Sequence, residues 1–574
     1  MEAVSYKELK KLSKQTETVK KRIAVLGDCA TQQLAAAIRG ESVRRGFPLG
    51  VYDADYDQME ALLLDGQSEL YAFAPDYILL FFSVQKLKLR YDSTDVASRA
   101  SFAEQELQRI SGFFSCIAAH CNAKILLFDF PETGDAVFGS FALRTPVSFA
   151  YQCRKLNMLI SEQIAEQAHH VYPIALSQLA ADLGAERFYD DRMWYLAKMS
   201  MQTDALPYAA GMILDTVLAT QGQIKKCVIT DLDNTLWGGV IGDDGVDGIQ
   251  LGELGTGPAF IALQRFLKNL QQRGILLAVC SKNNEYTAKE PFLHHPDMIL
   301  HLEDFAVFTA NWEDKAQNIR QIQQTLNIGM DSLVFLDDNP FERNLVRGML
   351  PEVTVPELPE DPALVPSYLE QLRLFEAAGY SDEDAARTAQ YRAESQRQAT
   401  QASYESYDAY LDALEMTGKI APFDSFHFAR IAQLTQRSNQ FNLRTVRYTD
   451  AEIQALAENP SYLTRYMTLS DKFGEHGLIS TVILKKQDNA MFIDTWLMSC
   501  RVLRRGVETL LFDEIVKLVL ENGCDVLLAE YLPTAKNQMV ANFYDERGME
   551  SLGNGQYRLD CRTYQPHQTK IRLL

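Results

Sequence analysis

Six short apolar runs, each ending in polar or turn residues, set the strongest limit on how this chain folds. Three of them lie within residues 1–220, as "RIAVLGDCA", "DYILLFFSV" and "AKILLFDFP". Three more lie within residues 221–355, as "KKCVITDLD", "ILLAVCS" and "SLVFLDDNP". Stretches with helical spacing of apolar residues, such as "PAFIALQRFLKNLQQRG", separate the runs. Buried strands that alternate with helices predict parallel sheets with helices on both faces.

The same alternation divides the chain into three blocks. We predict an α/β domain at residues 1–220 and a second α/β domain at residues 221–355. Residues 356–400 are rich first in Pro and then in Ala, Glu, Gln and Arg, which predicts a linker followed by a largely solvated helix. Residues 401–574 again mix strands and helices, so we predict a third domain of the mixed α+β class.

Charge and cysteine usage narrow the class of protein. The net charge of −20 argues against nonspecific binding to nucleic acid or to anionic membrane surfaces, so neither is expected as a partner. No apolar stretch reaches the roughly 18 residues of a membrane span, and the amino terminus lacks a signal-peptide core. The 9 cysteines are scattered without a C-x-x-C pair. We therefore expect reduced thiols and a cytoplasmic protein.

Polar residues stand at the ends of three strands of the second block. They are Asp231 and Asp233, then Ser281, then Asp337 and Asp338, with Lys315 opening the helix before the last strand. The carboxyl ends of parallel strands meet at one edge, where functional groups collect. A carboxylate nucleophile, Mg²⁺ on oxygen ligands, and a hydroxyl with a lysine around phosphate are the parts of phosphoryl transfer through an aspartyl phosphate. An isolated D-x-D is more often a turn or a cap, but the whole set favours catalysis.

The segments "DLDNT", "CSKNN", "NWEDK" and "FLDDNP" match, in order, the four motifs of the haloacid dehalogenase (HAD) superfamily. This resemblance implies that Asp231 is the nucleophile and that Asp233 is the acid/base. It also implies that Ser281 and Lys315 bind phosphate, and Thr235 and Asn339, inside the same motifs, are assigned with them to substrate binding. The implied magnesium ligands are Asp231, Asp233 (through its backbone carbonyl), Asp337 and Asp338.

Little chain is left between the motifs for a cap domain. Residues 231–281 hold room for a flap, one helix and one strand, and residues 281–315 leave no space for a domain. We therefore expect a capless HAD domain with a Rossmann-like parallel sheet and an open site. Such a site suits an extended substrate, or a small metabolite if the other domains form the lid.

Longer segments resemble a narrower family. "DLDNTLWGGVIGDDG", "AVCSKNNE", "FLDDNPFER", "QRSNQFNLRT" and "MSCRVLRRGVE" resemble the FkbH-like proteins, over about residues 190–550. These are HAD-family enzymes that load a glyceryl unit from 1,3-bisphosphoglycerate onto an acyl carrier protein. The resemblance implies dephosphorylation together with acyl transfer to a thiol, with a phosphorylated small molecule and a carrier protein as partners.

Cys280, directly before Ser281, is a candidate catalytic thiol. Magnesium and Lys315 would favour its thiolate, which would accept an acyl group from an acyl phosphate. Adjacent strand residues point to opposite faces, however, so a buried core cysteine is an equal alternative. Cys29, at the end of the first strand, is a weaker rival.

The flanking blocks resemble two further folds. "VLGDCAT" is similar to the first block of SGNH hydrolases, with Cys29 at the place of the nucleophilic serine. "FYDDRMWY" lacks the histidine that would complete the triad, so we expect an SGNH-like, flavodoxin-like domain without hydrolase activity and with a binding or scaffolding role.

"MFIDTWLMSCRVLRRGVETLLFDEI" resembles the strand, turn and helix of GNAT acyltransferases, where a pantetheine pyrophosphate sits on a helix amino terminus. Glu508 departs from that pattern and would repel a pyrophosphate, so coenzyme A and carrier-bound phosphopantetheine both stay open as cofactors. An arginine run is as often a solvated turn as a binding site. The candidate substrate-binding residues are Arg501, Arg504, Arg505, Asn537, Asn542 and Tyr544.

These observations favour a magnesium-dependent HAD enzyme of FkbH type that acts on a phosphorylated three-carbon acid and transfers its acyl unit to a carrier thiol. A phosphomonoesterase without an acyl step is the first alternative. A non-catalytic assembly protein, whose flanking folds bind partners, is the second.

Overall fold

Three sheets organise the computed structural model, which describes residues 4–134, 136–167, 170–379, 391, 397, 404, 406–438 and 440–574. The chain divides into two units, Met1–Leu218 with one sheet and Ala219–Leu574 with two. Two of the sheets are parallel and the third is mixed. The predicted fold class, two α/β parts followed by a mixed α+β part, is therefore confirmed.

The first unit is built on a parallel sheet. Its strands are β1 (Lys21–Gly27), β2 (Leu49–Asp53), β3 (Tyr77–Phe81), β4 (Lys124–Phe128) and β5 (Val171–Ile174). Their order is β2-β1-β3-β4-β5, which is the flavodoxin-like order. The helices along this part of the chain are α1 (Tyr6–Leu12), α2 (Gln32–Arg44), α3 (Met59–Leu64), α4 (Glu69–Ala72), α5 (Val84–Ser93), α6 (Phe102–His120), α7 (Phe149–Gln167), α8 (Leu176–Leu183), α9 (Ala185–Phe188), α10 (Asp191–Ala197) and α11 (Leu206–Thr220).

The second unit begins with another parallel sheet. Its strands are β6 (Cys227–Thr230), β7 (Leu276–Ser281), β8 (Phe305–Ala310) and β9 (Leu333–Leu336). They lie in the order β8-β7-β6-β9, so β6 and β7 are central. The helices of this segment are α12 (Ile241–Asp244), α13 (Gly257–Gln272), α14 (Glu285–His294), α15 (Lys315–Leu326), α16 (Pro340–Met349) and α17 (Val365–Gln371).

Alternate residues of these strands face two different apolar cores. Val228 packs in the core that holds Leu263 of α13, whereas Ile229 packs in the core that holds Ile319 of α15. The helix predicted from "PAFIALQRFLKNLQQRG" is confirmed as α13, with Pro258 in its first turn and Gly274 beyond its end. Covered on both faces, the sheet leaves only its edges for polar chemistry.

The third sheet is mixed. Its strands are β10 (Thr417–Ala421), β11 (Phe441–Asn442), β12 (Tyr462–Asp471), β13 (Gly474–Gln487), β14 (Ala490–Met498), β15 (Val526–Glu530), β16 (Glu550–Gly553), β17 (Gln556–Asp560) and β18 (Arg572–Leu573). The main order is β16-β17-β15-β14-β13-β12-β10-β18, and β11 also pairs with β14. The helices here are α18 (Tyr407–Ala413), α19 (Phe428–Arg437), α20 (Asp450–Glu458), α21 (Val507–Glu521) and α22 (Phe543–Glu546).

The domain limits within the second unit stay predictions. The solvated helix expected in residues 356–400 falls mostly on residues 380–390, 392–396 and 398–400, which lie outside the described part of the chain. Among the described helices, none has both the length and the apolar composition needed to cross a bilayer.

A close helix contact in the first unit depends on a missing side chain. Gly40 in α2 faces α1, and a Cβ atom placed on it would lie 2.1 Å from the carbonyl oxygen of Leu9. The Leu9 side chain is fully buried. Gly112 in α6 offers a matched comparison, because nothing lies within 4 Å of its Cβ position.

Replacing Gly40 with alanine should therefore push α1 away from α2. We expect Gly40→Ala to destabilise this contact by about 1–3 kcal/mol, as overpacking does. Hydrogen exchange of residues 6–12, followed by mass spectrometry on the full chain, should become faster. Gly112→Ala should leave that exchange unchanged and stabilise α6 by about 0.5–1 kcal/mol. Unchanged α1 exchange in Gly40→Ala would contradict the close contact.

Candidate active site

The turn after β6 places two carboxylates at the carboxyl edge of the parallel sheet in the second unit. Asp231 follows β6 directly, and its N–H donates to the carbonyl oxygen of Leu336 (2.9 Å), which ties it to the end of β9. Asn234 has a φ of +54°, a conformation that Asn tolerates better than most residues. The chain therefore turns sharply just after Asp233.

The Lys315 side chain bridges the acid that follows β6 and the acid that follows β9. Its Nζ lies 2.9 Å from Asp231 Oδ2 and 2.6 Å from Asp337 Oδ2. All three side chains are buried. Burial alone would lower the pKa of Lys315, but the two carboxylates outweigh it and raise that pKa. The lysine is thus charged and held at the first residue of α15, where Asp314 caps the helix.

Three carboxylates could hold a metal ion. Asp231, Asp337 and Asp338 each offer one oxygen, and these oxygens lie within 4.8 Å of one another. Asp231 Oδ1 is buried and has no hydrogen-bond partner among the described groups. Burial, and after it the charge of Asp231, raises the pKa of both Asp337 and Asp338. An all-oxygen donor set with unrelieved negative charge fits Mg²⁺.

Asp233 belongs to a different network. Its Oδ1 accepts hydrogen bonds from Trp237 Nε1 (2.9 Å) and the Ile241 N–H (3.0 Å), and its Oδ2 accepts one from Asn283 Nδ2 (3.0 Å). Burial raises its pKa, although the Ile241 and Trp237 hydrogen bonds partly oppose that rise. A carboxyl group with a raised pKa is suited to carry and release a proton. Its carboxylate is not among the three that could hold a metal ion.

The other predicted polar residues of these motifs lie around the acids. Thr235 Oγ1 accepts a hydrogen bond from the Asp338 N–H (3.1 Å), and the Asn339 N–H donates to Asp337 Oδ1 (2.9 Å). Asn339 also caps α16 through the Phe341 N–H (2.9 Å). Ser281 is buried at the end of β7. In the structure Thr235 and Asn339 therefore hold Asp337 and Asp338 in place.

Two supporting residues were missed by the sequence analysis. Asn283 fixes the Asp233 carboxylate, and Arg343 Nη1 donates to the carbonyl oxygens of Asp337 (2.8 Å) and Asp338 (2.6 Å). Both stand inside the quoted segments "CSKNNE" and "FLDDNPFER". Their roles follow from contacts between strand ends and helices, which a motif alone does not specify.

Cys280, the residue before Ser281, faces an apolar core. Its side chain is fully buried in the apolar core with Ile319 of α15, and its Sγ lies 3.8 Å from the Lys315 carbonyl oxygen. Burial raises its pKa, and Lys315 only partly opposes this. The core-cysteine alternative matches this environment, and a thiol of this kind is a poor nucleophile.

Two comparisons bear on the identity of the chain. The family described as FkbH, N-terminal domain, matches residues 22–218. The crystal structure of the N-terminal part of the protein BF1531 from Bacteroides fragilis, containing a phosphatase domain and complexed with Mg, is 44% identical with a TM-score of 0.63. It covers 66% of this chain and 100% of that one.

This chain is an FkbH-like protein of HAD type. Two more distant likenesses are to other solved structures. Ard1 from Thermoplasma volcanium is 18% identical, with a TM-score of 0.20 over 25% of this chain and 95% of that one. A GNAT-family acetyltransferase from Staphylococcus aureus is 11% identical, with a TM-score of 0.20 over 25% and 99%. Neither has any bearing on what the third sheet binds. No curated protein matches the chain.

In the first unit of this FkbH-like protein, the Cys29 thiol lies in the core. It is buried, and its pKa is raised well above the ordinary value, first by burial and then by the adjacent Asp28. Asp190, from the segment that lacks the expected histidine, caps α10 by accepting a hydrogen bond from the Met193 N–H (3.2 Å). Both positions have structural surroundings.

The predicted substrate-binding residues of the third sheet differ in exposure. Arg501 and Arg505 are buried, whereas Arg504 is exposed. Asn537 is fully buried and donates from Nδ2 to the carbonyl oxygens of Asn442 and Leu532, both at 2.9 Å. Asn542 is exposed at the start of α22, and Tyr544 is buried, with burial raising its pKa.

The turn before α21 already holds an anion from its own chain. The Glu508 carboxylate accepts a hydrogen bond from the Arg504 N–H, with an Oε1–N distance of 2.7 Å. Arg504 has a φ of +64° and Gly506 a φ of +85°, so the turn is tight. A pyrophosphate placed on this helix terminus would compete with the Glu508 carboxylate.

Residues 441–443 lie between β14 and β15 where these two strands no longer pair. These strands pair only from Ala490 to Phe492, and farther along β11 pairs with β14 at Met498 and Leu497. The Leu443 carbonyl oxygen accepts the Leu532 N–H (2.9 Å), which closes the gap from the β15 side. An extended ligand that pairs with this edge of β14 must displace residues 441–443.

A buried ion cluster joins β12 and β13 to the turn before α21. Arg397 contacts both Asp471 oxygens at 2.7 Å, and Asp471 Oδ2 lies 3.0 Å from His476 Nε2. Burial lowers the pKa of His476, and the positive charges of Arg397 and Arg505 lower it further. The Asp471 carboxylate acts in the opposite direction but does not outweigh them. Burial alone would raise the pKa of Asp471, but His476 and Arg397 outweigh it and lower that pKa.

This cluster predicts that the second unit loses stability in acid. In the unfolded chain, His476 takes up a proton near pH 6.5, whereas in the folded protein it does so only at lower pH. Below about pH 6.5 the chain therefore takes up a proton when it unfolds, and this favours the unfolded state. Urea midpoints of the full chain at pH 7.5 and 5.5 should therefore differ less in His476→Gln than in the unmodified protein. His567→Gln, at a half-exposed histidine, should keep the full difference. An equal pH dependence in His476→Gln would refute the assignment.

Proposed function

We propose that this chain is a magnesium-dependent phosphatase of HAD type, with Asp231 as the nucleophile. The observation that carries the proposal is the Lys315 bridge between Asp231 and Asp337, with Asp338 beside it. Within the described part of the chain, Asp231 Oδ1 has no hydrogen-bond partner. The magnesium-bound phosphatase domain of the 44% identical relative gives independent support.

The side chains support a two-step transfer. Asp231 Oδ1 attacks phosphorus and forms an aspartyl phosphate, while the bond from phosphorus to the leaving oxygen breaks. Asp233, whose pKa is raised, donates its proton to that oxygen. Water then attacks the phosphorus, Asp233 takes up the water's proton, and the bond to Asp231 breaks. Lys315 and Ser281 hold the equatorial phosphate oxygens.

Magnesium would be held by Asp231, Asp337, Asp338 and the Asp233 backbone carbonyl. When bound, it neutralises charge on the phosphate and the carboxylates. Two sets of contacts already hold this part of the site in position. Arg343 binds the carbonyl oxygens of Asp337 and Asp338, and Thr235 accepts a hydrogen bond from the Asp338 N–H.

The substrate proposed is a phosphorylated three-carbon acid of the 1,3-bisphosphoglycerate type. A cavity of about 780 Å³, lined in part by Thr235, Gln250, Phe260 and Asp338, opens beside the acids and leaves room for more than phosphate. The aspartyl-phosphate route removes the ester phosphate of this substrate, and its acyl phosphate reacts in the acyl step. In that step, the thiolate sulfur of a carrier protein attacks the acyl carbonyl carbon. A C–S bond forms, the C–O bond to phosphate breaks, and phosphate leaves.

The thiol in this proposal belongs to the phosphopantetheine of the carrier. Cys280 lies in an apolar core, and its raised pKa disfavours the thiolate. Coenzyme A is the weaker candidate, since Glu508 occupies the turn amide where its pyrophosphate would bind. For the first unit we propose a binding or scaffolding role.

Phosphate release should depend on the Asp231 carboxylate. We expect Asp231→Asn to lower the rate on the order of 10³-fold or more, because an amide is a poor nucleophile. Inorganic phosphate released from small phosphate esters, with and without Mg²⁺, is the measurement. Asp247→Asn, at an exposed acid of the flap, is the control and should keep its activity. Magnesium-independent release would contradict the metal assignment, and no release from the unmodified protein would favour the assembly-protein alternative.

The acyl step separates the main proposal from a plain phosphomonoesterase. The protein, Mg²⁺, bisphosphoglycerate and a holo carrier protein are incubated, and intact masses are recorded. We expect the carrier to gain the mass of a glyceryl unit. Free phosphate with an unmodified carrier would leave hydrolysis as the function. The Cys280→Ser variant should still load the carrier. Loss of loading with normal phosphate release would instead indicate that Cys280 takes part in the acyl step.

A further inference from the structure

The Asp233 carboxylate is held by two separate parts of the chain. Trp237 and Ile241, in the segment that follows it, donate to its Oδ1 at 2.9 Å and 3.0 Å. Asn283, two residues beyond the end of β7, donates to its Oδ2 at 3.0 Å. The group is thus fixed by contacts that follow two neighbouring strands, and its two oxygens have different surroundings.

A count of lone pairs distinguishes the two oxygens of Asp233. Each carboxylate oxygen offers about two acceptor positions. Two N–H groups fill both positions of Oδ1, whereas Oδ2 accepts one hydrogen bond from the described residues. The position that is left belongs to Oδ2. A proton that Asp233 gives up or takes up is therefore carried by Oδ2.

The contacts on Oδ1 are rigid. Trp237 is fully buried, and its ring packs edge-on against Phe292 with the ring centroids 5.7 Å apart. Ile241 is 2% exposed and opens α12. Asp233 itself is only partly buried, so it is accessible from the open site although one of its oxygens is anchored in the fold.

The Asn283 side chain is fixed by its own neighbour. Its Oδ1 accepts a hydrogen bond from the Asn284 N–H at 2.9 Å, so the donor end of the amide is turned toward Asp233. Asn283 is 6% exposed, which leaves its side chain little room to rotate. The amide therefore occupies one acceptor position of Asp233 Oδ2 and fixes the direction of the other.

We propose that Asn283 is a positioning residue for proton transfer, which holds Asp233 so that Oδ2 exchanges the proton with the leaving oxygen. This inference rests on the proposed function, in which Asp233 is the acid/base. In the step concerned, Asp231 bonds to phosphorus and the bond from phosphorus to the ester oxygen breaks. The proton moves from Asp233 Oδ2 to that departing oxygen, and Asn283 acts only through Asp233.

The importance of this contact depends on the leaving group. An alkyl alcohol departs as a strongly basic alkoxide unless it is protonated, whereas a nitrophenol departs as a stable phenolate. A residue that aims the acid is therefore needed for alkyl esters, such as the three-carbon ester proposed above, and hardly at all for p-nitrophenyl phosphate. A residue that only stabilises the fold affects both esters alike.

Phosphate release from glycerol 3-phosphate and from p-nitrophenyl phosphate, measured with Mg²⁺ on the full chain, tests the proposal. The quantity compared is kcat/KM, because it includes the steps up to departure of the alcohol and not the later hydrolysis of the aspartyl phosphate. We expect Asn283→Leu to lower kcat/KM for glycerol 3-phosphate on the order of 10²-fold. The value for p-nitrophenyl phosphate should be nearly unchanged, which also shows that the variant is folded.

Asn284→Ala is the matched control. This neighbouring asparagine accepts hydrogen bonds from the N–H groups of Tyr286 (3.0 Å) and Thr287 (3.4 Å) at the start of α14, so its loss disturbs the same loop without removing the donor to Asp233. The ratio of its two kcat/KM values should equal that of the unmodified protein.

Equal loss on both esters in Asn283→Leu, or no loss on either, would overturn the positioning role. Release from the aryl ester alone by the unmodified protein would overturn it too, because the acid would then not serve an alkyl leaving group. Magnesium-dependent release from neither ester would refute the phosphatase assignment itself, and the positioning role with it.

Discussion

The Lys315 ammonium group, held between Asp231 and Asp337, is the interaction on which the candidate active site depends. A buried carboxylate without a partner is costly, and here two of them converge from neighbouring strands. Lys315 compensates for one charge, and the amino terminus of α15 adds a partial positive charge nearby. Negative charge is still left over, because Asp338 stands within the same cluster. A divalent cation would complete the balance, so the lysine and the candidate metal site are parts of one electrostatic arrangement.

The parallel sheet turns short sequence motifs into this arrangement. Because β6, β7 and β9 run in the same direction, residues that follow them meet at one edge although they are far apart in the chain. The two-residue period of each strand then decides which side chains take part. Cys280, the next-to-last residue of β7, faces the core with Ile319, whereas Ser281 comes at the strand's end. Sequence proximity to the site is therefore no measure of access to it.

The parts of the fold and site that could be predicted are those fixed by local pattern. Apolar runs ending in Asp or Ser located the strands and their functional ends, and Pro258 and Gly274 marked the limits of α13. The contacts of Asn283 and Arg343 could not be predicted, because they depend on how helices pack on the sheet. The same holds for residues 441–443 between β14 and β15. Such contacts join segments distant in sequence, and no short motif encodes them.

Net charge is a poor guide to what this protein attracts. At physiological ionic strength, charges farther apart than about 8 Å are largely screened, so most of the acidic surface does not reach either edge of the parallel sheet. At the carboxyl edge, the proposed phosphate would enter among carboxylates, so it would need Lys315 and a metal ion beside it. The preference of an edge of the sheet for a ligand must therefore be judged by the charges within a few ångströms of it.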